Sequence, residues 1–402
     1  MELSPEQELL LTCARVDLSS RHQQRLEQLT RQSLCWESIG RAANAHGITS
    51  LLDRHLRPIV RQVCPEQVCP ESVWRTWHWQ SLGVLANNLR LVAELSAIGT
   101  LLDEAKIPYL CLKGPALAAS CYGDLRLRPA CDLDLLVRPA DAEQADGLLM
   151  GRGFRPQFRL TGYQWQTFIR TRCELAYRRD EPTVMVELHW SLTSPGYSFT
   201  PSIQACWQRA EQIRIESFPV STLGPEDNFL FLGVHAAKHQ WQRLIWLVDL
   251  AELIRQRSNM DWDRVLTPST LRSAGRPTHV SLRLASRLLE APVPDHVWQR
   301  LGTDRVADRI VQRVIDRHLV ARSPIDKNSR EFPWQTLYFQ AMPLRRDRLR
   351  FLYEVLLQPT PIEWALLPLP RWLTPVYHVI RPIRLLYRHL LRKLRIGGNH
   401  RV

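Results

Sequence analysis

The chain has 402 residues, 45% of them hydrophobic and 23% charged, an ordinary globular make-up with length for a large core and two or three subdomains. Lys and Arg outnumber Asp and Glu by 53 to 40, a formal charge of +13 with a pI near 9.7, so the expected partners are anionic: nucleotides, nucleic acid or acidic lipid headgroups. No run of about eighteen apolar residues occurs, which excludes a membrane-spanning helix, and nine cysteines without framework spacing speak against a disulfide scaffold and for a reducing compartment.

The opening MELSPEQELLLTCARVD is acidic and lacks the charged-then-apolar pattern of a signal peptide, so a cytoplasmic protein is expected. Residues 5–105 read as helices. Apolar positions recur at three and four in Leu9-Leu10-Cys13, in Ile39-Ala42-Ala43, and in Leu82-Leu85-Leu89-Val92-Leu95-Ile98-Leu102. The last series predicts a long helix from about Val73. Pro58, Pro65 and Pro70 are expected to divide the region into two helical groups. Trp74, Trp77 and Trp79 have the spacing of helix-packing core rather than of a base-stacking platform. Cys64 and Cys69 have no matching Cys or His pair at zinc-site spacing.

Residues 107–190 carry the α/β pattern. Ile107–Leu112 reads as a buried strand, Lys113-Gly114 as a turn, and Pro115 as the first turn of a short helix. A basic loop with Arg126 and Arg128 follows the Tyr122-Gly123-Asp124 turn and leads to Asp132-Leu133-Asp134-Leu135-Leu136-Val137. On a strand, side chains alternate faces, so Asp132 and Asp134 project together. Two carboxylates that close repel, and the usual remedy is a divalent cation; hard oxygen donors suit Mg2+ or Mn2+. The plainer alternative is a solvated strand edge. Pro139–Met150 reads as a helix ended by Gly151 and Gly153. Cys173–Arg179 and Thr183–Trp190, separated by Arg-Asp-Glu-Pro, read as a hairpin, with Met185, Glu187 and His189 on one face of its second strand.

From Pro225 onward the pattern returns to helix, over Phe229–His239, Leu244–Arg255 and at least two more in 277–320. His235 and His239 stack at i and i+4; without an acid between them they suit packing or substrate contact better than zinc. From Arg371 to Val402 there are eight Lys/Arg and no acidic residue. Val379, Ile380, Ile383, Leu386, Leu390 and Leu394 fall on one side of a helix predicted over Val376–Leu394, while Arg381, Arg384, Arg388 and Arg392 take much of the other. Such a helix lies on an anionic membrane or nucleic acid, or docks on the domain with its basic face in solvent. Pro382 would kink it near its start.

The run Leu112-Lys113-Gly114, Arg126, Arg128-Pro129, Asp132-Leu133-Asp134 and then Val186-Glu187-Leu188-His189-Trp190 resembles the uncharacterised nucleotidyltransferase family of the DNA polymerase β-like superfamily. Weaker similarity extends from about Trp36 to Pro294. The resemblance implies an α+β fold: a small mixed-sheet nucleotidyltransferase core at 106–222, flanked by an N-terminal helical lobe at 1–105 and a C-terminal one at 223–330, with a basic tail at 331–402. It implies Mg2+- or Mn2+-dependent transfer of NMP from an NTP, with ATP the expected donor, to a hydroxyl on a small molecule or protein. Asp132, Asp134 and Glu187 would be the catalytic and metal-holding acids, and Gly114, Lys113, Arg126 and Arg128 the phosphate contacts. The alternative is a catalytically silent relative that binds nucleotide or a partner. Three departures from the superfamily pattern stand out: Gly114-Pro115 in place of Gly-Ser, Glu as the third acid, and eighteen residues from Gly114 to Asp132. The basic tail adds an expectation of peripheral contact at the inner membrane face.

Overall fold

A computed structural model describes residues 3–62, 69–196, 202–316 and 336–398, without the side chains of 60–62 and 389–398. Cys64 and Pro65 lie outside the described residues, as do the side chains of Leu390, Arg392 and Leu394.

The sheet forms where the sequence places its apolar alternations. Strands β1 (Tyr109–Cys111), β2 (Leu133–Val137), β3 (Arg155–Pro156), β4 (Glu174–Asp180) and β5 (Thr183–His189) assemble in the order β1-β2-β5-β4-β3. β2 and β5 run parallel and every other pair is antiparallel. A parallel pair needs a long crossover, here supplied by the helices Ala142–Gly151 and Gly162–Thr171 and by the β4–β5 hairpin. A second hairpin, β6 (Glu211–Ile215) with β7 (Phe218–Thr222), abuts β1, where Thr222 Oγ1 donates to the Cys111 carbonyl at 2.6 Å.

The period of two sorts β2 and β5 onto two layers. Leu133, Leu135, Val137, Val186 and Leu188 face a core shared with Leu91, Leu95, Ile98 and Leu102 of the helix Glu71–Glu104. Leu136 faces the other way, against Phe231 of the helix Pro225–Lys238, and Asp134 shares that side. Thirty-four residues make the long helix about 50 Å long at 1.5 Å per residue. It begins against the N-terminal helices, where Trp77 meets Trp36 at 6.2 Å between ring centroids, and ends under the sheet. Trp79 is exposed. Leu9, Leu26, Ile39 and Leu51 share one core with Phe229, Val248, Leu284 and Val314, so helices from both ends of the chain form one body beside the sheet.

Two expectations are corrected. Pro58 does not break its segment: the helix Thr49–Gln62 runs through it. The hydrogen bond lost at a proline is the one to the carbonyl four residues back, and Arg54 and Pro58 both lie on the exposed side, where water can take that carbonyl. The C-terminal helix, Tyr377–Gly398 after the 3-10 turn Arg371–Val376, turns only part of its basic face to solvent, with Arg388 exposed. Arg381 and Arg384 point inward onto Glu363, which is fully buried, and Arg381 also donates to the Val355 carbonyl at 2.7 and 3.1 Å. Of the apolar stripe, Ile380 packs against the sheet core and the rest of its described members face out: Ile383 is 62% exposed and Leu386 60%, with Val379, Tyr387 and, before the helix, Trp372 at 77% alongside.

Candidate active site

Parallel neighbours in a sheet project side by side. Because Asp134 pairs with Glu187 across β2 and β5, their carboxylates leave the same face together. Asp132, two residues earlier, and His189, two residues later, follow them. Asp132, Glu187 and His189, with Lys113 from the turn after β1, line one cavity of about 270 Å³, and the fully buried Asp134 lies behind that lining, against Lys113 and His189. The cavity's opposite wall is the helix Pro225–Lys238 and the residue after it, through Phe231, His235, Lys238 and His239.

Charge inside the cavity is dense and mostly paired. Lys113 Nζ sits 2.9 Å from Asp134 Oδ1, and His189 Nε2 sits 3.3 Å from that oxygen and 3.6 Å from Glu187 Oε2. On the far side of the imidazole, Nδ1 lies 3.3 Å from Glu174 Oε2. That approach has ion-pair distance without hydrogen-bond alignment, since Nδ1 has no hydrogen-bond partner. Asp134 is fully buried and its second oxygen, Oδ2, has no partner either. Burial alone would raise the Asp134 carboxyl, but Lys113 and His189 outweigh it and hold it well below the usual range. Burial likewise opposes the charges on Lys113 and His189, and the surrounding carboxylates, Asp134 foremost, keep both above their ordinary values. Asp132 behaves oppositely: burial and the neighbouring Asp134 push it up to about 6. On the opposite wall, burial and nearby cations drive His235 far down and His239 down to about 4, so both imidazoles are neutral.

The raised Asp132 fixes a sign. An acid at about 6 in the fold and about 3.9 when unfolded binds more protons folded than unfolded between those values, so its contribution to stability falls as pH rises through that window. Asp132→Asn is therefore expected to raise the thermal midpoint of chelator-treated protein at pH 7.5, and the gain to shrink by pH 4.5. Differential scanning fluorimetry at the two pH values checks this; an equal gain at both would show that Asp132 ionises freely.

Gly114 adopts φ +59°, and a Cβ there would meet the Asp132 carbonyl at 3.1 Å, so the turn and the first acid are in contact through glycine. The helix after it is a single α turn, Pro115–Leu117, continuing as a π turn to Tyr122, and Pro115 offers no backbone donor. Arg126 and Arg128 are not among the residues that line the cavity. Arg128 is buried and grips Asp249 with two bonds, Nε to Oδ1 at 2.9 Å and Nη2 to Oδ2 at 3.0 Å. Tyr122 donates to the same carboxylate at 2.6 Å. The Arg126 backbone N–H donates to Asp124 Oδ1 at 2.7 Å, while its Nε is buried without a partner. The basic loop is thus held by structural contacts. Asn88, fully buried on the long helix, donates to the carbonyls of Leu125 and Arg128 and accepts from the Ala130 N–H.

Sequence reasoning gave no role to His189, Glu174, Lys238, Asn88 or Asp249. His189 had a signal, the shared face with Glu187. Glu174 pairs directly with His189 across the hairpin, a register that the Glu181-Pro182 turn specifies once it is centred correctly. Lys238 Nζ reaches Glu174 Oε1 at 3.8 Å from a distant helix, and nothing local announces it.

A family profile described as "Uncharacterised nucleotidyltransferase" matches residues 32–290, nearly two thirds of the chain. The chain is also similar to a solved structure, an antigenic nucleotidyltransferase-like protein from Paracoccidioides brasiliensis, at 16% identity over 52% of this chain and 96% of that one, with a TM-score of 0.33. No curated protein matches at a significant level.

Proposed function

The chain belongs to the uncharacterised nucleotidyltransferase family, and from that premise we propose that it transfers NMP from an NTP, ATP the expected donor, to a hydroxyl acceptor. One observation carries the reading: Asp134 and Glu187 stand side by side in parallel register, and Glu187 lines one cavity with Asp132 and with Lys113, the partner of the buried Asp134. The donor set fits a divalent ion. The ligand atoms of Asp134, Glu187 and His189 lie within 4.8 Å of one another, and the buried Asp134 Oδ2 lacks a partner. Asp132, Asp134 and Glu187 would hold Mg2+ or Mn2+, which would supply charge neutralisation of the triphosphate and polarisation of the α-phosphoryl group.

The protein's own groups then have defined tasks. Lys113 Nζ, already beside Asp134, is placed to take phosphate charge as a compact cation. The Glu187 carboxylate accepts the acceptor hydroxyl's proton as its oxygen bonds to the α-phosphorus and the bond to the leaving pyrophosphate breaks. The first cavity alone is smaller than an ordinary ligand pocket. A second of about the same volume shares Glu174, Glu187, Ser194 and Lys238 with it, and the pair reaches the usual range of about 300 to 1,000 Å³. Glu187 lies on the wall that the two cavities share, placed to face both the NTP and its acceptor. Purified protein incubated with Mn2+ or Mg2+, each of four α-labelled NTPs and cell lysate should transfer label and release pyrophosphate. No transfer with any of the four overturns the enzyme reading.

The second reading, a silent nucleotide-binding regulator, is favoured by one observation: Lys113 and His189 already neutralise Asp134 from within the chain. Nucleotide binding without pyrophosphate release would select it.

The C-terminal helix bears on location, and we infer that it seats the protein on an anionic bilayer. No described helix is long and apolar enough to cross a membrane. The outward stripe from Trp372 to Tyr387 is flanked by exposed Arg371 and Arg388, in a segment with eight cations and no acid. Buried apolar area and about 1 kcal/mol per surface cation both favour acidic headgroups. The protein should co-sediment with phosphatidylglycerol vesicles and not with phosphatidylcholine ones, and Ile383→Glu/Leu386→Glu should abolish binding. A dimer that this variant dissociates, without vesicle binding, would assign the stripe to a second copy instead.

A further inference from the structure

We propose that His189 is itself a metal ligand, through Nε2, the incoming ion displacing the Nε2 proton now shared with Asp134 Oδ1 to solvent, and that Glu174 is the residue that aims it. The inference rests on the metal-dependent reading above and alters its ligand set from carboxylates alone to carboxylates with one imidazole.

Three observations carry it. First, Nε2 lies 3.3 Å from Asp134 Oδ1 and 3.6 Å from Glu187 Oε2. Ligand atoms about 2.1 Å from an ion and at right angles to each other are about 3 Å apart, so these separations are close to those of neighbouring ligands on one cation. Second, Asp134 Oδ2 is buried with no partner on a side chain that is fully enclosed. A carboxylate oxygen in that state is open to a cation in addition to the Lys113 ammonium on Oδ1. Third, a carboxylate lies behind the imidazole on the nitrogen away from the cluster, Glu174 Oε2 at 3.3 Å from Nδ1, at ion-pair distance though not in hydrogen-bond alignment. Metal-bound histidines characteristically donate their second N–H to such a group, which fixes the tautomer and the ring plane. Glu174 is in turn tied to Lys238 at 3.8 Å. Register explains the arrangement: Glu187 opposes Asp134 across β2–β5, and Glu174 opposes His189 across β4–β5. One strand, β5, thus presents an acid and an imidazole two residues apart to the same point.

A nitrogen donor changes which ion the site prefers. Mg2+ favours oxygen ligands, whereas imidazole suits later first-row ions and is accepted by Mn2+. The site should bind Mn2+ about tenfold or more tighter than Mg2+ by calorimetry, and His189→Gln should narrow that ratio. Glu174→Gln should weaken Mn2+ binding about 10- to 100-fold, the usual cost of removing the group behind a ligating histidine.

The deciding experiment is the electron spin echo of Mn2+ bound to the full-length protein. A directly coordinated imidazole gives a nitrogen modulation that changes when histidine is supplied as the 15N form. That signal should persist in His235→Gln/His239→Gln, whose side chains line the same cavity, and vanish in His189→Gln. If His189→Gln does not fold, the isotope effect in the double variant still decides, because among the residues lining the cavity it leaves His189 alone as the imidazole source. Mn2+ bound without nitrogen modulation overturns the inference and leaves the metal-dependent reading standing. Absence of Mn2+ binding overturns both.

Discussion

Asp134→Asn is expected to reduce pyrophosphate release by about a thousandfold or more while leaving the protein folded. The size follows from what the residue does in the proposed reaction. A cation on a transferring phosphoryl group contributes several kcal/mol of charge stabilisation, and each 1.4 kcal/mol is tenfold in rate; removing the central carboxylate forfeits most of that. Folding should survive. Asparagine keeps the shape, and Lys113 retains Asp132 and Glu187 nearby, both of which support its charge in the native protein. The measurement is labelled-NTP turnover, with far-UV circular dichroism and calorimetric nucleotide binding as companions. Turnover unchanged within tenfold would remove Asp134 from the chemistry. Lost turnover with retained binding is the expected pattern, and it separates the enzyme from the silent binder only because the wild type is measured beside it.

Much of this site's geometry is legible in the sequence, and the reason is local. Strand alternation ties Asp132 to Asp134 and Glu187 to His189 within a few residues, and the glycine of Lys113-Gly114 announces a turn whose positive φ the fold uses. What composition and spacing could not carry were contacts made across the chain. Arg128 reads equally well as a phosphate clamp or as half of a structural pair. Only the arrival of Asp249, 121 residues later, decides that its guanidinium is committed. The C-terminal helix failed to read for a related reason. Its amphipathic pattern was legible, but the side it turns outward depends on Glu363, whose buried carboxylate draws Arg381 and Arg384 inward. A buried acid is invisible in a pattern that counts Glu as polar.

Asp249 also marks where the fold is most vulnerable. Asp249→Leu is expected to destabilise the protein by about 3 to 5 kcal/mol, since breaking a buried pair from one side leaves an uncompensated charge. Arg128 is raised above its ordinary value chiefly because Asp249 outweighs the burial that opposes its charge, and Tyr122 would lose its acceptor in the same step. Arg128→Met/Asp249→Leu should recover a large part of the loss, because an apolar pair of similar volume replaces two buried charges. Chemical denaturation of the four variants in the cycle measures both quantities. Additive losses would mean that Arg128 and Asp249 are independent and that the loop is held by Asn88 instead. The consequence for activity runs through position. Residues 125–130 lead directly into Asp132, and the helix Leu244–Gln256 that carries Asp249 belongs to the helical body rather than to the sheet. The pair therefore couples the orientation of the first acid to the packing of the lobe. A variant that keeps the fold but loosens this joint should lose turnover more than nucleotide affinity, because positioning errors near 1 Å cost about a hundredfold in rate.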